Sequence, residues 1–257
     1  MVRFVKTFLL AAVLVASASA HAAFEGCPQF FAQGVAPKVS QYAPGKQREL
    51  CFSGFAVLHS GQSKTPVYVA EKLNRAHMLD ARNEERTDNF YEEARLPADH
   101  RARLSDYRQG RVYTDASGKE VKEYFDRGHM APAADSASPE TMAQSFSLAN
   151  MVPQAPQNNR KLWKGIEQAT RKYVLRAAGD VYVITGPIYS GQVNAVGKGQ
   201  VWIPSHLYKL VYDQSAGKAW AYWVENTDAP QVSRPISYAQ LVKLTGTEFL
   251  PGVRLQD

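Results

Sequence analysis

The chain has few of the features that staple small folds or build fibres. It has only two cysteines in 257 residues, and they are not spaced Cys-x-x-Cys. That excludes a thiolate zinc site and a dithiol redox motif. Glycine (17) and proline (14) are modest in number, which excludes a collagen-like or low-complexity chain. A mean hydropathy of −0.35 excludes a polytopic membrane protein. No internal repeat is visible, and no linker rich in Pro, Gly or Ser divides the chain. There is no G-x-S-x-G, Walker A or H-E-x-x-H motif. Ser215-Ala216-Gly217-Lys218 matches S-x-x-K, but it lies in an expected turn and no Lys-Thr-Gly follows. Gly197-Lys198-Gly199 lacks the third glycine of a dinucleotide loop and reads as a turn.

What remains is an ordinary soluble composition, 45% hydrophobic and 21% charged. The N-terminus departs from it. Arg3 and Lys6 precede the apolar run Phe8 to Ala16, which is too short to span a bilayer. Small residues with A-x-A steps follow, at Ala18 to Ala20 and Ala20 to Ala22. This is the pattern of a secretory signal peptide over residues 1–22, with an uncleaved anchor as the alternative. The mature chain, 24–257, is then one exported domain, periplasmic or secreted from a bacterium, with no membrane contact after cleavage. Removing Arg3 and Lys6 lowers the formal charge from +6 to 6 − 2 = +4. A mildly basic protein suits a polyanionic ligand without requiring one. In an oxidising compartment Cys27 and Cys51 read as a disulfide. It would close a loop of about 24 residues and add ~3 kcal/mol by the loop-entropy argument.

Strands are expected over Phe52 to His59, Pro66 to Ala70, Asp180 to Pro187, Lys209 to Tyr212 and Ala219 to Val224. Val112 to Val121 reads as a small hairpin around Asp115 to Gly118. Ser138-Pro139 is an N-cap followed by a helix-starting proline. A longer helix is expected from Asn158 to Ala178, with Gly179 as its C-cap, and a shorter one over Tyr238 to Leu244. Strands and helices without regular alternation indicate an α+β fold.

One stretch carries chemistry: Asp126-Arg127-Gly128-His129, then Asn150 to Gln154, then Asn158-Asn159-Arg160 and Glu167. Histidine is the side chain suited to general-base work near neutral pH. Glycine before it lets the backbone approach a ligand closely. Asp126 and Arg127 can hold the loop or meet a phosphate. An asparagine at a helix start can offer its carbonyl oxygen to a hard divalent cation. A glutamate eight residues later lies ~12 Å along the axis and leans back toward the helix start. Singly, each residue has an ordinary structural reading as a cap or a satisfied loop residue. The order and spacing together do not.

That order resembles the DNA/RNA non-specific endonucleases, the ββα-metal (His-Me finger) nucleases of endonuclease G-like pattern. The D-R-G-H signature followed by Met130-Ala131-Pro132 is present. So are Phe146-x-x-x-Asn150-x-x-Pro153-Gln154 and an Asn, Trp, Glu set in Asn159, Trp163 and Glu167. Thr185-Gly186-Pro187, Val201 to Pro204 and Arg86 to Phe90 extend the match. The resemblance implies a central, mostly antiparallel sheet flanked by helices. It implies a metal-dependent hydrolase acting on DNA and RNA, with Mg²⁺, or Mn²⁺ or another divalent ion, as cofactor. It assigns His129 as general base and Asn159 as metal ligand. Glu167 would orient a water on the metal, and Asn150 would support the site. Arg86, with Arg82 as competitor, would bind the phosphate, helped by Arg127. Products would carry 5′-phosphate and 3′-hydroxyl ends. A homodimer and an inhibitor protein are partners the sequence leaves open, and a non-catalytic nucleic-acid-binding protein is the competing class. One departure stands out. Members of the family run from an Asp-Tyr pair to D-R-G-H within a few residues, whereas here Arg108 to Phe125 intervene after Asp106-Tyr107.

Overall fold

The computed structural model describes residues 24–229 and 234–256. The signal segment expected over residues 1–22 lies outside the described residues. Among the described residues no helix is long and apolar enough to cross a membrane.

In chain order the strands and helices are β1 (Gln47–Cys51), β2 (Ala56–Ser60), β3 (Thr65–Leu73), α1 (Arg75–Asp80), α2 (Leu104–Gln109), β4 (Arg111–Thr114), β5 (Glu120–Glu123), β6 (Asp126–His129), α3 (Pro139–Ser145), β7 (Met151–Gln154), α4 (Lys164–Val174), β8 (Val181–Ile188), β9 (Asn194–Val196), β10 (Val201–Ile203), β11 (His206–Asp213), β12 (Lys218–Glu225), β13 (Ile236–Ser237) and α5 (Tyr238–Thr245). A seven-stranded sheet, in the order β1-β2-β3-β8-β11-β12-β13, forms the body. Its ladders are antiparallel. Three two-stranded ribbons, β4–β5, β6–β7 and β9–β10, sit around it. The α+β architecture with a central antiparallel sheet is as the sequence indicates.

Side-chain alternation along the strands divides the core in two. Tyr68, Ala70, Tyr182, Ile184, Tyr208 and Leu210 pack on one face with Phe24, Phe31 and Phe249. Val57, Val69 and Leu207 face the other way, where Met130, Val152, Trp163 and Ile166 cover them. The disulfide Cys27–Cys51 closes across 24 residues, with Cα atoms 5.8 Å apart, and ties the N-terminal segment to the end of β1.

Two expected elements come out differently. The strand expected over Phe52 to His59 is broken. Phe52 N–H bonds to Phe55 O at 2.9 Å, and the two rings stack at 4.5 Å, so Ser53-Gly54 turns the chain between β1 and β2. The helix expected to reach Ala178 ends at Val174, with Leu175 rather than Gly179 as its C-cap. Beyond it, Lys72 (2.9 Å) and Asn74 (3.1 Å) on the β3 side hold the Asp180 carboxylate, which pulls the chain out into β8. The start of α3 is as expected: Ser138 accepts from Thr141 N–H at 3.2 Å, with Pro139 in the first turn.

Candidate active site

The D-R-G-H residues form β6, which pairs antiparallel with β7: Asp126 opposite Gln154, and His129 opposite Met151. The chain then makes a π-helical turn over Asn158–Trp163 that runs directly into α4. Such turns widen the helix by one residue and re-aim side chains. Here the turn brings Asn159 back toward β6. Two strands and a helix therefore hold the residues singled out in the sequence.

Each part of this unit is pinned by hydrogen bonds. Asn150 is fully buried. Its Nδ2 donates to Ala131 O and Ser145 O, both at 2.9 Å, and its Oδ1 accepts from Ala131 N–H at 2.8 Å. Met130 N–H adds a bond to Asn150 O at 3.0 Å, so the backbone just after His129 cannot shift. Gln154 lies against Gly128, where any Cβ would collide with its side chain. Gln154 Nε2 donates to Asn158 Oδ1 at 2.7 Å, and Asn158 Nδ2 donates to Glu225 O at 2.7 Å. This chain of amides ties β7, the π-turn and β12 together.

His129 lies between two rings, 5.8 Å from Phe90 and 5.1 Å from Phe146. Its Nε2 is enclosed and has no hydrogen-bond partner. Burial, then the positive charges of Arg86 and Arg127, push its pKa down to about 3. The imidazole is therefore neutral and able to take a proton. Arg127 stacks 3.8 Å from the centre of Phe90. Arg86 lies 5.0 Å from the centre of Phe146 and pairs with Asp88 at 2.7 Å. Both arginines line a groove of about 440 Å³ with Tyr107, Arg108, Phe125, Asp126 and Asn159. Arg82, the competitor of Arg86, is not among the lining residues.

Sequence reasoning left Asp126 and Arg160 without distinct roles. Asp126 accepts from Asn159 Nδ2 at 2.9 Å and from Arg160 Nε and Nη2 at 2.8 and 2.6 Å. With its amide nitrogen held by Asp126, Asn159 has Oδ1 left as the atom that can meet a cation. Among the described residues no three His, Cys, Asp or Glu side chains cluster as a metal cage. A single neutral oxygen donor fits a hard ion that keeps most of its water shell and binds substrate phosphate, the habit of Mg²⁺.

Beneath α4 the sheet carries polar residues that the sequence did not flag. Lys209 is buried on β11. Its Nζ donates to Thr185 Oγ1 at 2.7 Å and lies 5.4 Å from the Trp163 ring centre. Arg171 pairs with buried Asp135 at 2.9 Å. Burial raises the Glu167 pKa to about 7, with Lys209 and Arg171 pulling it down and Asp135 pushing it up. Burial, then Asp135, also raises that of Glu71, on β3, well above the carboxylate range. A period-2 strand pattern could have revealed Glu71 and Lys209, since each falls on an inward position of a buried strand. The S-x-x-K segment, by contrast, is the β11–β12 turn, where Ser215 Oγ donates to Asp213 at 2.7 Å.

Residues 33–256 match the model of the DNA/RNA non-specific endonuclease family. With that match over most of its length, the chain belongs to this family of DNA/RNA non-specific endonucleases. It is 29% identical over 214 residues to the mitochondrial nuclease EXOG of Danio rerio, covering 76% of this chain and 58% of that protein. It is 31% identical over 214 residues to a nuclease of Nostoc, covering 77% of this chain and 72% of that protein. The chain thus spans about three-fifths of its mitochondrial relative's length. The fold is similar to a chain in the crystal structure of the EndoG/EndoGI complex, with a TM-score of 0.68 and 24% identity over 82% of this chain and 89% of that one. The family is divalent-metal dependent.

Proposed function

We propose that this chain is an exported endonuclease that hydrolyses phosphodiester bonds of DNA and RNA with His129 as general base. One observation carries the reading: a neutral, buried imidazole lies against Phe90, a wall residue of the groove that Arg86, Arg108 and Arg127 also line. A phosphodiester resists attack because its negative charge repels nucleophiles. Arg86 and Arg127 would bind the phosphate oxygens with charge-assisted hydrogen bonds. Burial depresses His129 most and the two cations add to it; a bound anion would offset the cations' share, so its basicity rises when substrate arrives. With Nε2 enclosed, Nδ1 is the nitrogen left to take a proton from water. That water attacks phosphorus in line with the 3′ oxygen, which leaves. The products carry 5′-phosphate and 3′-hydroxyl ends. Asn159 Oδ1 would hold a divalent cation, Mg²⁺ in our reading, which supplies charge neutralisation at the phosphate and the leaving oxygen. Glu167 would accept hydrogen bonds from water in the groove, and Asn150 keeps the His129 backbone in place. The nucleophile is water, so a substrate 2′-hydroxyl is not needed and both DNA and RNA are cut. Contacts to phosphate give little sequence preference. The signal pattern before residue 24 and the Cys27–Cys51 bridge support export.

The test is cleavage of circular plasmid DNA and of RNA by the oxidised protein, with Mg²⁺ and with EDTA. Cutting of both substrates that EDTA abolishes supports the reading. Cutting of neither with any divalent ion overturns it in favour of a nucleic-acid-binding protein.

A further inference from the structure

The segment between α2 and β6 forms the hairpin β4–β5, with Arg111 opposite Glu123 and Val112 opposite Lys122. Its base is fixed. Gly197 N–H bonds to Gly110 O at 2.9 Å, Arg111 pairs with Glu123 at 3.3 Å, and Gly110, at φ +68°, packs so closely on Glu123 O that no side chain fits there. Its outer face is not covered. Tyr124 is 55% exposed and Val112 54% exposed. Lys122 Nζ stands 4.9 Å from the Tyr124 ring centre. Tyr113 carries Arg111 at 4.3 Å.

An exposed aromatic ring has an ordinary reading as a scattered surface residue. Three observations argue otherwise. Tyr124 directly precedes Phe125 and Asp126, which line the groove. It lies five positions before His129, a reach of no more than about 18 Å. Lys122 stands against the ring, and the groove that begins at the next residue, Phe125, is lined by Arg86, Arg108 and Arg127. A ring with one face against an ammonium group and its surroundings open to solvent is a platform on which a flat base can stack, with the cation near the adjoining phosphate.

We propose that Tyr124, with Lys122, is a subsite for an unpaired base of the nucleic acid whose phosphate lies in the groove, and that it makes this chain favour single-stranded over duplex substrate. The inference rests on the nuclease reading of that groove. In a duplex the base faces are already stacked on one another, so only a single strand can place one on the ring. Stacking of this kind responds to the ring and not to the hydroxyl.

The experiment measures KM for a single-stranded DNA oligonucleotide and for the duplex of the same sequence, with wild type, Tyr124→Ala and Tyr124→Phe. Fluorescence polarisation of both oligonucleotides on the His129→Ala background reads binding without cleavage. The expected result is a rise of about tenfold in the single-strand to duplex KM ratio, and in the corresponding Kd ratio, for Tyr124→Ala, with Tyr124→Phe close to wild type. A ratio unchanged by Tyr124→Ala overturns the inference, as does an equal loss on both substrates. Melting temperatures confirm that the variants fold. Failure of the nuclease reading appears separately, as wild type that cuts no substrate, and the polarisation arm still decides the subsite.

Discussion

The floor of the groove and its rim hold their residues in different ways. On the floor, Asn150 uses its whole amide in three buried hydrogen bonds, and Gly128 leaves no room for a methyl group. On the rim, the β4–β5 hairpin is fixed only at its root, and its side chains make exposed contacts such as Arg111 on Tyr113. The floor positions atoms that must meet a reacting phosphate to within a fraction of an ångström. The rim offers flat rings and long cations, which tolerate varied partners. One region has little freedom to change without loss, and the other can be altered to suit a substrate.

The largest expected effect lies on the floor. His129→Ala removes the base and is expected to lower kcat by about a thousandfold, on the scale of general-base catalysis. The fold and oligonucleotide binding should be retained; a single-turnover cleavage rate near wild type would end the mechanism. Next is Asn150→Ala. It strands Ala131 N–H and O and Ser145 O in the interior, at a cost of about 3 kcal/mol of stability. Urea unfolding followed by circular dichroism measures it. A loss below about 1 kcal/mol would mean that the floor is not held as described.

Acid sharpens the comparison, because buried histidines belong to the body and not to the rim. His59, on β2, is enclosed beside the Lys64 backbone, and burial pushes its pKa down to about 3. His129 is lowered to the same value. Between about 3 and 6.5 the unfolded chain binds a proton that each buried ring refuses. Each histidine therefore contributes stability that is full above pH 6.5 and falls away toward pH 3, by about 1.4 kcal/mol per pH unit. Glu167 has the opposite sign. Its pKa is raised to about 7, so its contribution is full below the ordinary carboxylate pKa and is lost as pH rises through 7. From about pH 4.5 to 6.5 Glu167 offsets the slope of one of the two histidines in the wild type. His59→Phe separates them. The stability of wild type minus that of this variant should fall by about 1.4 kcal/mol for each pH unit below 6.5, down to about pH 3. Parallel curves would show that His59 titrates normally in the fold.

The sequence made the floor legible because its residues are close in the chain and their chemistry is distinctive. His129, Asn159 and Glu167 fall on one strand–strand–helix unit, Asn150 sits in the turn just before its second strand, and Arg86 lines the groove with Asn159. The α+β class followed from patterning alone. The lost details share a cause: they depend on tertiary partners. Asp180 ends the long helix early because Lys72 and Asn74 hold it. Ser53-Gly54 turns because Phe52 and Phe55 stack. The π-turn at Asn158 has no signature in periodicity, since one inserted residue looks like helix. The ion pair of Asp126 with Arg160 spans 34 residues, and the partners of buried Lys209, Thr185 and Trp163, are distant in the chain.

The smallest expected effect belongs to the rim and completes the contrast. Val112 is 54% exposed on the outer face of the hairpin, opposite Lys122. In Val112→Ser the exposed apolar surface becomes polar, while the ladder bond pattern and the Gly110 anchor are untouched. Serine is a weaker strand former than valine, so the change costs something, but within the ±0.5 kcal/mol of ordinary surface substitutions. Thermal unfolding of this variant beside Asn150→Ala makes the comparison direct. If Val112→Ser cost as much as Asn150→Ala, the hairpin would be a structural part of the fold held from both sides. The division into a rigid floor and an adaptable rim would then fail. A shift of less than about 2 °C, set against one several times larger for Asn150→Ala, is what the two kinds of packing require.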